Sequence, residues 1–196
     1  MRVILIHGFN SSPEQNFHPW LADQLRAKGF EVVVPKLSLD NREEINIPDI
    51  IDQAKVQIGT LRNDDIILGH SLGAFIILQY LEAVEMMETP HAIIMVAPPW
   101  KVSRPELRRL FIADLEADVL MWKARGFYVV HSSDDTLVPA EHGKKFAEAL
   151  KAKFIEVNGC GHFMDEQYPI LLEIVERIAA LPFEFSPGLS LPNDFE

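Results

Sequence analysis

Cysteine is nearly absent from this chain, with one residue, Cys160, in 196. A lone thiol excludes an intrachain disulfide and an all-thiolate zinc site, and it suits a reducing compartment. Positive charge is also scarce: 18 Lys and Arg stand against 29 Asp and Glu, for a net charge of −11. Nucleic acid and anionic membrane both demand a positive footprint, so neither is an expected partner. No apolar run approaches the length that spans a bilayer, and the run between Arg2 and Gly8 is too short for the apolar region of a signal peptide. A cytoplasmic address is expected. None of the seven histidines falls in an H-E-x-x-H pair or another ligand spacing, so no metal and no cofactor are implied. Internal repeats and low-complexity tracts are missing as well.

What is present is an ordinary globular composition, 48% apolar and 24% charged. A chain of this length buries roughly 70% of its unfolded surface, enough for one domain with a real core. Short β-branched runs over residues 3–7, 31–34, 65–68, 92–97, 127–131 and 154–157 read as six strands. Between them lie apolar residues at helical spacing, as in Trp20, Leu21 and Leu25, or Phe75, Ile76, Leu78 and Leu81, or Ile170, Leu171, Ile174, Val175 and Ile178. Strands alternating with helices predict a parallel sheet covered on both faces. The domain is expected over 1–182, followed by an irregular tail over 183–196 with two prolines and no helical period. That tail can fray, or its Phe183, Phe185, Leu189 and Leu191 can lie across the body or a partner.

Between the third strand and the helix expected from Leu72 stands Gly69-His70-Ser71-Leu72-Gly73, a G-x-S-x-G pentapeptide in a strand-turn-helix context. So tight a turn strains its central residue and crowds the positions two away on either side, which explains glycine at both. Ser71 Oγ is thereby exposed at the strand end. The helix that follows aims its unpaired N–H groups and positive dipole end at the same spot, where an oxyanion would be stabilised. A small-residue turn is the bland alternative. His70, inside the motif, is expected to point away from Ser71 into a buried, hydrogen-bonded packing role.

A serine hydroxyl needs a base, and the base needs a carboxylate to fix its tautomer. After the last strand, Asn158-Gly159-Cys160-Gly161-His162 delivers His162 as the candidate base. Cys160 could be called a nucleophile beside it, but it has no elbow, and buried free cysteine is usually inert. The carboxylate is expected from Ser132-Ser133-Asp134-Asp135-Thr136-Leu137-Val138-Pro139, where Val138-Pro139 opens the next helix. Asp135 has the offset for the acid, while Asp134 braces the loop or faces water. Asp165 reads as a helix N-cap. The order Ser71, Asp135, His162 is the one an α/β-hydrolase fold imposes. The polar loop His7-Gly8-Phe9-Asn10-Ser11-Ser12-Pro13 ends the first strand at the same sheet edge. The backbone N–H groups of Phe9 and Leu72 are the expected oxyanion donors. Asn10, Trp20, Pro98, Pro99 and Trp100 are candidate lining for the substrate cleft.

These residues resemble the small α/β-hydrolases of the retinoblastoma-binding protein 9 type and their minimal bacterial esterase relatives. The likeness runs over residues 2–182 through VILIHGFNSSP, PWL, VVVPKL, GHSLGA, VAPPW, SSDDTLVP and GCGHF. It implies Ser71, Asp135 and His162 as the triad and small esters or amides as substrates. The loop QNFHPW departs from the more aromatic loop of that family. No L-x-C-x-E is present, so binding of retinoblastoma protein is not carried over. The HGFNSSP opening is similar to a second group of small bacterial esterases as well.

The expected architecture is a minimal α/β-hydrolase with a six-stranded, mostly parallel sheet in order 2-1-3-4-5-6, flanked by helices, without a large lid domain. Residues 98–126 leave room for one helix and little more. The expected activity is hydrolysis of small carboxylic esters, amides or thioesters through an acyl-enzyme. The alternatives are acyl transfer or a lyase reaction on the same triad, or a partner-binding scaffold with an idle triad. Oligomeric state is not legible.

Overall fold

The structure, a computed structural model, describes residues 1–40, 46–100 and 115–183. Strands β1 (Arg2–Ile6), β2 (Glu31–Val33), β3 (Asp65–His70), β4 (Ala92–Val96), β5 (Gly126–Ser132) and β6 (Lys153–Val157) form one six-stranded sheet. Its order is β2-β1-β3-β4-β5-β6, as expected, and every neighbouring pair is parallel. The described helices are α1 (His18–Ala27), α2 (Ile47–Ile58), α3 (Leu72–Ala83), α4 (Ala117–Leu120), α5 (Ala140–Leu150) and α6 (Pro169–Ala179).

Alternation along the strands sorts the side chains into two cores, because successive residues of a strand face opposite sides. Ile4, Ile6, Ile67, Ile93, Met95 and Val129 join α2, α3 and α5 on one face. Val3, Leu5, Ile66, Leu68, Ile94, Val96 and Val130 join α1 and α6 on the other. With both faces covered, the strands can be apolar throughout, as IILG and AIIMV are. Helix α3 is buried nearly all round, from Leu72 to Leu78 and at Tyr80 and Leu81, which fixes the element that follows Ser71. At the opposite end of the sheet, Arg2 bonds both oxygens of buried Asp65, at 2.8 and 2.6 Å, and the carbonyls of Ile58 and Thr60.

Some boundaries differ from expectation. Strand β3 runs two residues further, through Gly69 and His70, because pairing with Met95 and Val96 continues there. Helix α5 starts at Ala140 with Pro139 as its cap, so Val138-Pro139 precedes the helix instead of opening it. Helix α6 starts only at Pro169, where a missing N–H costs nothing, so Asp165 lies in a loop and is not its N-cap. Helix α2 buries Ile50, Ile51, Ala54 and Ile58, and α5 buries Gly143, Phe146 and Leu150. Between β4 and β5 the described part contains only the single turn α4, and residues 101–114 lie outside the described residues. Of the expected tail, Phe183 has its ring 4.8 Å from that of His91, and residues 184–196 lie outside the described ones. Among the described residues no helix is long and apolar enough to cross a membrane.

Candidate active site

Three connections converge at the carboxyl edge of the sheet, where open parallel sheets bind ligands. The first is the elbow. Ser71 separates β3 from α3 with φ 53° and ψ −122°, and its N–H donates to the Val96 carbonyl at 2.8 Å. A Cβ on Gly69 would sit 2.7 Å from the Ala74 backbone, and one on Gly73 would sit 2.5 Å from the Ile6 and His7 carbonyl oxygens. Both glycines are therefore demanded by close backbone approach, the first within the turn and the second between α3 and β1. A Cβ on Gly8 would lie 3.2 Å from the His70 carbonyl and from Ser71 Cβ, so the loop leaving β1 runs against the elbow.

The second connection follows β6. His162 presents Nε2 to Ser71 Oγ at 2.9 Å and Nδ1 to Asp135 Oδ2 at 2.7 Å. The third follows β5. Asp135 is 6% exposed, and its Oδ1 accepts the N–H groups of Leu137 at 2.9 Å and Val138 at 2.8 Å. Burial opposes its ionisation. Hydrogen bonds from His131, His162 and the Val138 N–H outweigh that and hold the carboxyl well below the usual carboxylate range. An ionised acceptor at Oδ2 takes the proton on Nδ1, which leaves Nε2 as an acceptor for the serine hydroxyl. The arrangement can draw a proton from Ser71 as its oxygen attacks a carbonyl carbon.

Two neighbours have hydrogen-bond partners that the sequence did not specify. His131, fully buried at the end of β5, donates from Nε2 to the Val138 carbonyl at 2.8 Å and lies 3.5 Å from Asp135 Oδ2. A histidine next to the end of an otherwise apolar strand marks the position in the sequence, though not its partners. His70 is buried as expected, and its Nε2 lies 2.8 Å from the His162 carbonyl. Asp134 accepts the Gly159 and Gly161 N–H groups, both at 3.1 Å, and the Ser132 hydroxyl. Cys160 is half-buried, and burial, with the charges of Asp134 and Asp165, pushes its thiol up and away from thiolate.

Leu72 is the first residue of α3, so its N–H belongs to the opening turn, where no helix carbonyl accepts it. Phe9 follows Gly8 beside the elbow. Asn10 and Trp20 line one cleft of about 650 Å³ together with Glu14, Asn16, Met164 and Glu166. The other three cleft candidates are not part of it. Pro98 and Pro99 are buried, and the Trp100 ring packs edge-on to Phe146 at 4.7 Å while the backbone N–H of Trp100 donates to His142 Nδ1 at 3.0 Å. Phe146 is 1% exposed and lies 46 residues further along the chain, so its contact with Trp100 is not written in the local sequence.

Residues 3–176 match the family of serine hydrolases. The Bacillus subtilis protein YdeN, named as a hydrolase, is 29% identical over 177 residues, covering 89% of this chain and 92% of YdeN. The crystal structure of YdeN superposes with a TM-score of 0.82 at 26% identity, covering 90% of this chain and 97% of that one. A Xanthomonas campestris structure named as a hydrolase of the α/β superfamily has a TM-score of 0.60 at 22% identity, covering 91% and 95%. YitV of Bacillus subtilis, named as an esterase, is 25% identical over 195 residues, covering 79% of this chain and 76% of YitV.

Proposed function

This chain belongs to the serine hydrolase family, and on that premise we propose that it cleaves small carboxylic esters with Ser71 as nucleophile, His162 as base and Asp135 as orienting acid. The observation that carries the reading is the unbroken relay Ser71 Oγ to His162 Nε2 at 2.9 Å and His162 Nδ1 to Asp135 at 2.7 Å. Ser71 Oγ attacks the ester carbonyl while His162 takes its proton. The backbone N–H groups of Phe9 and Leu72 receive the oxyanion, and their value lies in being fixed before charge develops. His162 returns the proton to the leaving alcohol, and water then resolves the acyl-enzyme by the same steps. Thioesters and amides present the same carbonyl chemistry.

The cleft lined by Asn10 and Trp20 is related to this centre by chain neighbourhood: Asn10 follows Phe9, and Met164 stands two residues after His162. The indole and Met164 offer apolar surface, and Glu14 and Glu166 disfavour an anionic substrate. The order of motifs over 2–182 supports a place beside the retinoblastoma-binding protein 9 type, and the name of YitV supports an esterase. The test is a fluorophosphonate probe together with chromogenic acyl esters of graded chain length. The wild type is expected to label and turn over. Ser71→Ala is expected to do neither while keeping its circular dichroism spectrum, with residual catalysis no more than about 10³ to 10⁴ over water. Near-normal turnover by that variant overturns the reading.

A further inference from the structure

His162 stands on a loop, yet its imidazole must meet two partners at once, and a group left 1 Å out of place costs about 10² in rate. Backbone propensity alone does not fix that loop. Gly159, Gly161 and Phe163 all have positive φ, at 77°, 49° and 56°, and glycine explores many other conformations. Side chains from two other connections grip it instead. On one side, Asp134 Oδ1 gathers the Gly159 and Gly161 N–H groups at 3.1 Å, and the Ser132 hydroxyl that Asp134 orients accepts the Cys160 N–H at 3.1 Å. On the other side, His70 meets the carbonyl of His162 itself at 2.8 Å. A carbonyl only accepts, so His70 donates from Nε2–H. Its Nδ1 is buried without a protein partner among the described residues, so nothing competes for that proton.

We infer that Asp134 and His70 are positioning residues that clamp the His162 loop from both sides. Each immediately precedes a member of the proposed triad, Asp135 and Ser71. The residue beside the acid and the residue beside the nucleophile thus hold the loop that carries the base. The inference rests on reading His162 as that base. Asp134 works through an acceptor oxygen and not through charge, because its partners are two amides and a hydroxyl. Asparagine therefore serves at 134, although it cannot serve at 135. His70 works through one N–H at the end of a flat side chain, which glutamine reproduces. Burial lowers the His70 imidazole to about 3, with the neighbouring His162 adding to the effect, so it remains a neutral donor throughout the working pH range.

The experiment compares Asp134→Ala with Asp134→Asn and His70→Ala with His70→Gln. It reads kcat, KM and fluorophosphonate labelling rate below each variant's Tm. Each alanine variant is expected to lose about 10² in kcat with KM within about twofold, as a misplaced base would. The asparagine and glutamine partners are expected to recover most of that loss. Asp134→Ser, too short to reach both amides, replaces the alanine variant if that one does not fold. Alanine variants with wild-type kcat, or conservative variants as slow as alanine, overturn the clamp. Ser71→Ala and His162→Ala run alongside. Turnover by those two would defeat the reading of the base, whereas their inactivity beside fully active Asp134→Ala and His70→Ala would defeat the clamp alone.

Discussion

Ser71 occupies a backbone region that a residue with a Cβ avoids, and holding it there costs on the order of 1–3 kcal/mol. The bond to Val96 and the buried helix behind it sustain that strain. The side chain then has to leave the sheet edge toward His162. At the adjacent acids the chemistry separates two residues of one type. Asp135→Asn places an amide opposite Nδ1, which can hold the proton on Nε2 and remove the acceptor that Ser71 needs. The expected fall in kcat is about 10⁴, with KM nearly unchanged, while Asp134→Asn stays within about tenfold of wild type. Steady-state kinetics on one chromogenic ester checks the ranking, and the reverse order would transfer the role to Asp134. EDTA is expected to leave the wild-type rate unchanged, and loss on chelation with recovery on adding a divalent ion would defeat the serine mechanism. That Ser71, Asp135 and His162 meet was legible because each sits at a fixed offset from a strand end or a glycine. The bonds of His70 and His131 were not legible, since they depend on side-chain direction across 92 residues in one case and around a turn in the other.

Among the elements, α3 and β1 approach closely near the site. A methyl group on Gly73 would meet the carbonyl oxygens of Ile6, the last residue of β1, and of His7 just beyond it at 2.5 Å, and backbone cannot swing aside as a side chain can. Gly73→Ala is expected to cost about 1–3 kcal/mol of unfolding free energy and to lower kcat, because the start of α3 also sets Leu72 and Ser71. Urea titration with parallel kinetics measures both, and a variant unchanged in both would mean that α3 relaxes freely. At the far end of the sheet, Asp65→Ala strips buried Arg2 of its carboxylate, an uncompensated charge worth about 3–5 kcal/mol. Here the expectation is the opposite pairing: a lower urea midpoint with kcat of the folded enzyme within about twofold. A drop in kcat as large as that of Gly73→Ala would mean the two sheet edges are coupled. Strand existence and order were legible because parallel strands buried on both faces are continuous apolar runs, as at 92–96. Helix starts were less so. Asp165 has the chemistry of a cap, but Pro169 and the bonds from the Tyr168 hydroxyl to the Cys160 carbonyl and from the Asp165 N–H to that hydroxyl hold the chain non-helical until Pro169.

For the molecule as a whole, the two cores lock away several histidines as neutral groups. His18 and His70 are both almost fully buried, their rings 6.2 Å apart, and burial lowers them to about 4 and about 3. Burial lowers His7 as well. In the unfolded chain each returns to an ordinary value near 6.5. Between that value and the folded one the unfolded chain binds more protons, so stability rises with pH and falls as pH drops. The contribution is complete above about pH 6.5 and diminishes as pH falls toward 4, by up to about 1.4 kcal/mol per pH unit for each histidine. Asp135, held low by its hydrogen bonds, acts in the same direction but only below the ordinary carboxylate range. His18→Phe removes one such proton acceptor from both states while keeping a ring to stack on Phe17, which lies 4.5 Å away. The variant loses the bond from His18 Nδ1 to the Gln15 carbonyl, so it is expected to start less stable at pH 7.5. As pH falls from 6.5 to 4.5, its deficit relative to wild type should close by about 1.4 kcal/mol per pH unit, because only the wild-type unfolded chain gains that proton. Urea midpoints of both proteins across this range decide it. Parallel curves would mean that His18 titrates alike in the folded and unfolded chains, and that burial of this imidazole does not set the acid limit of the fold.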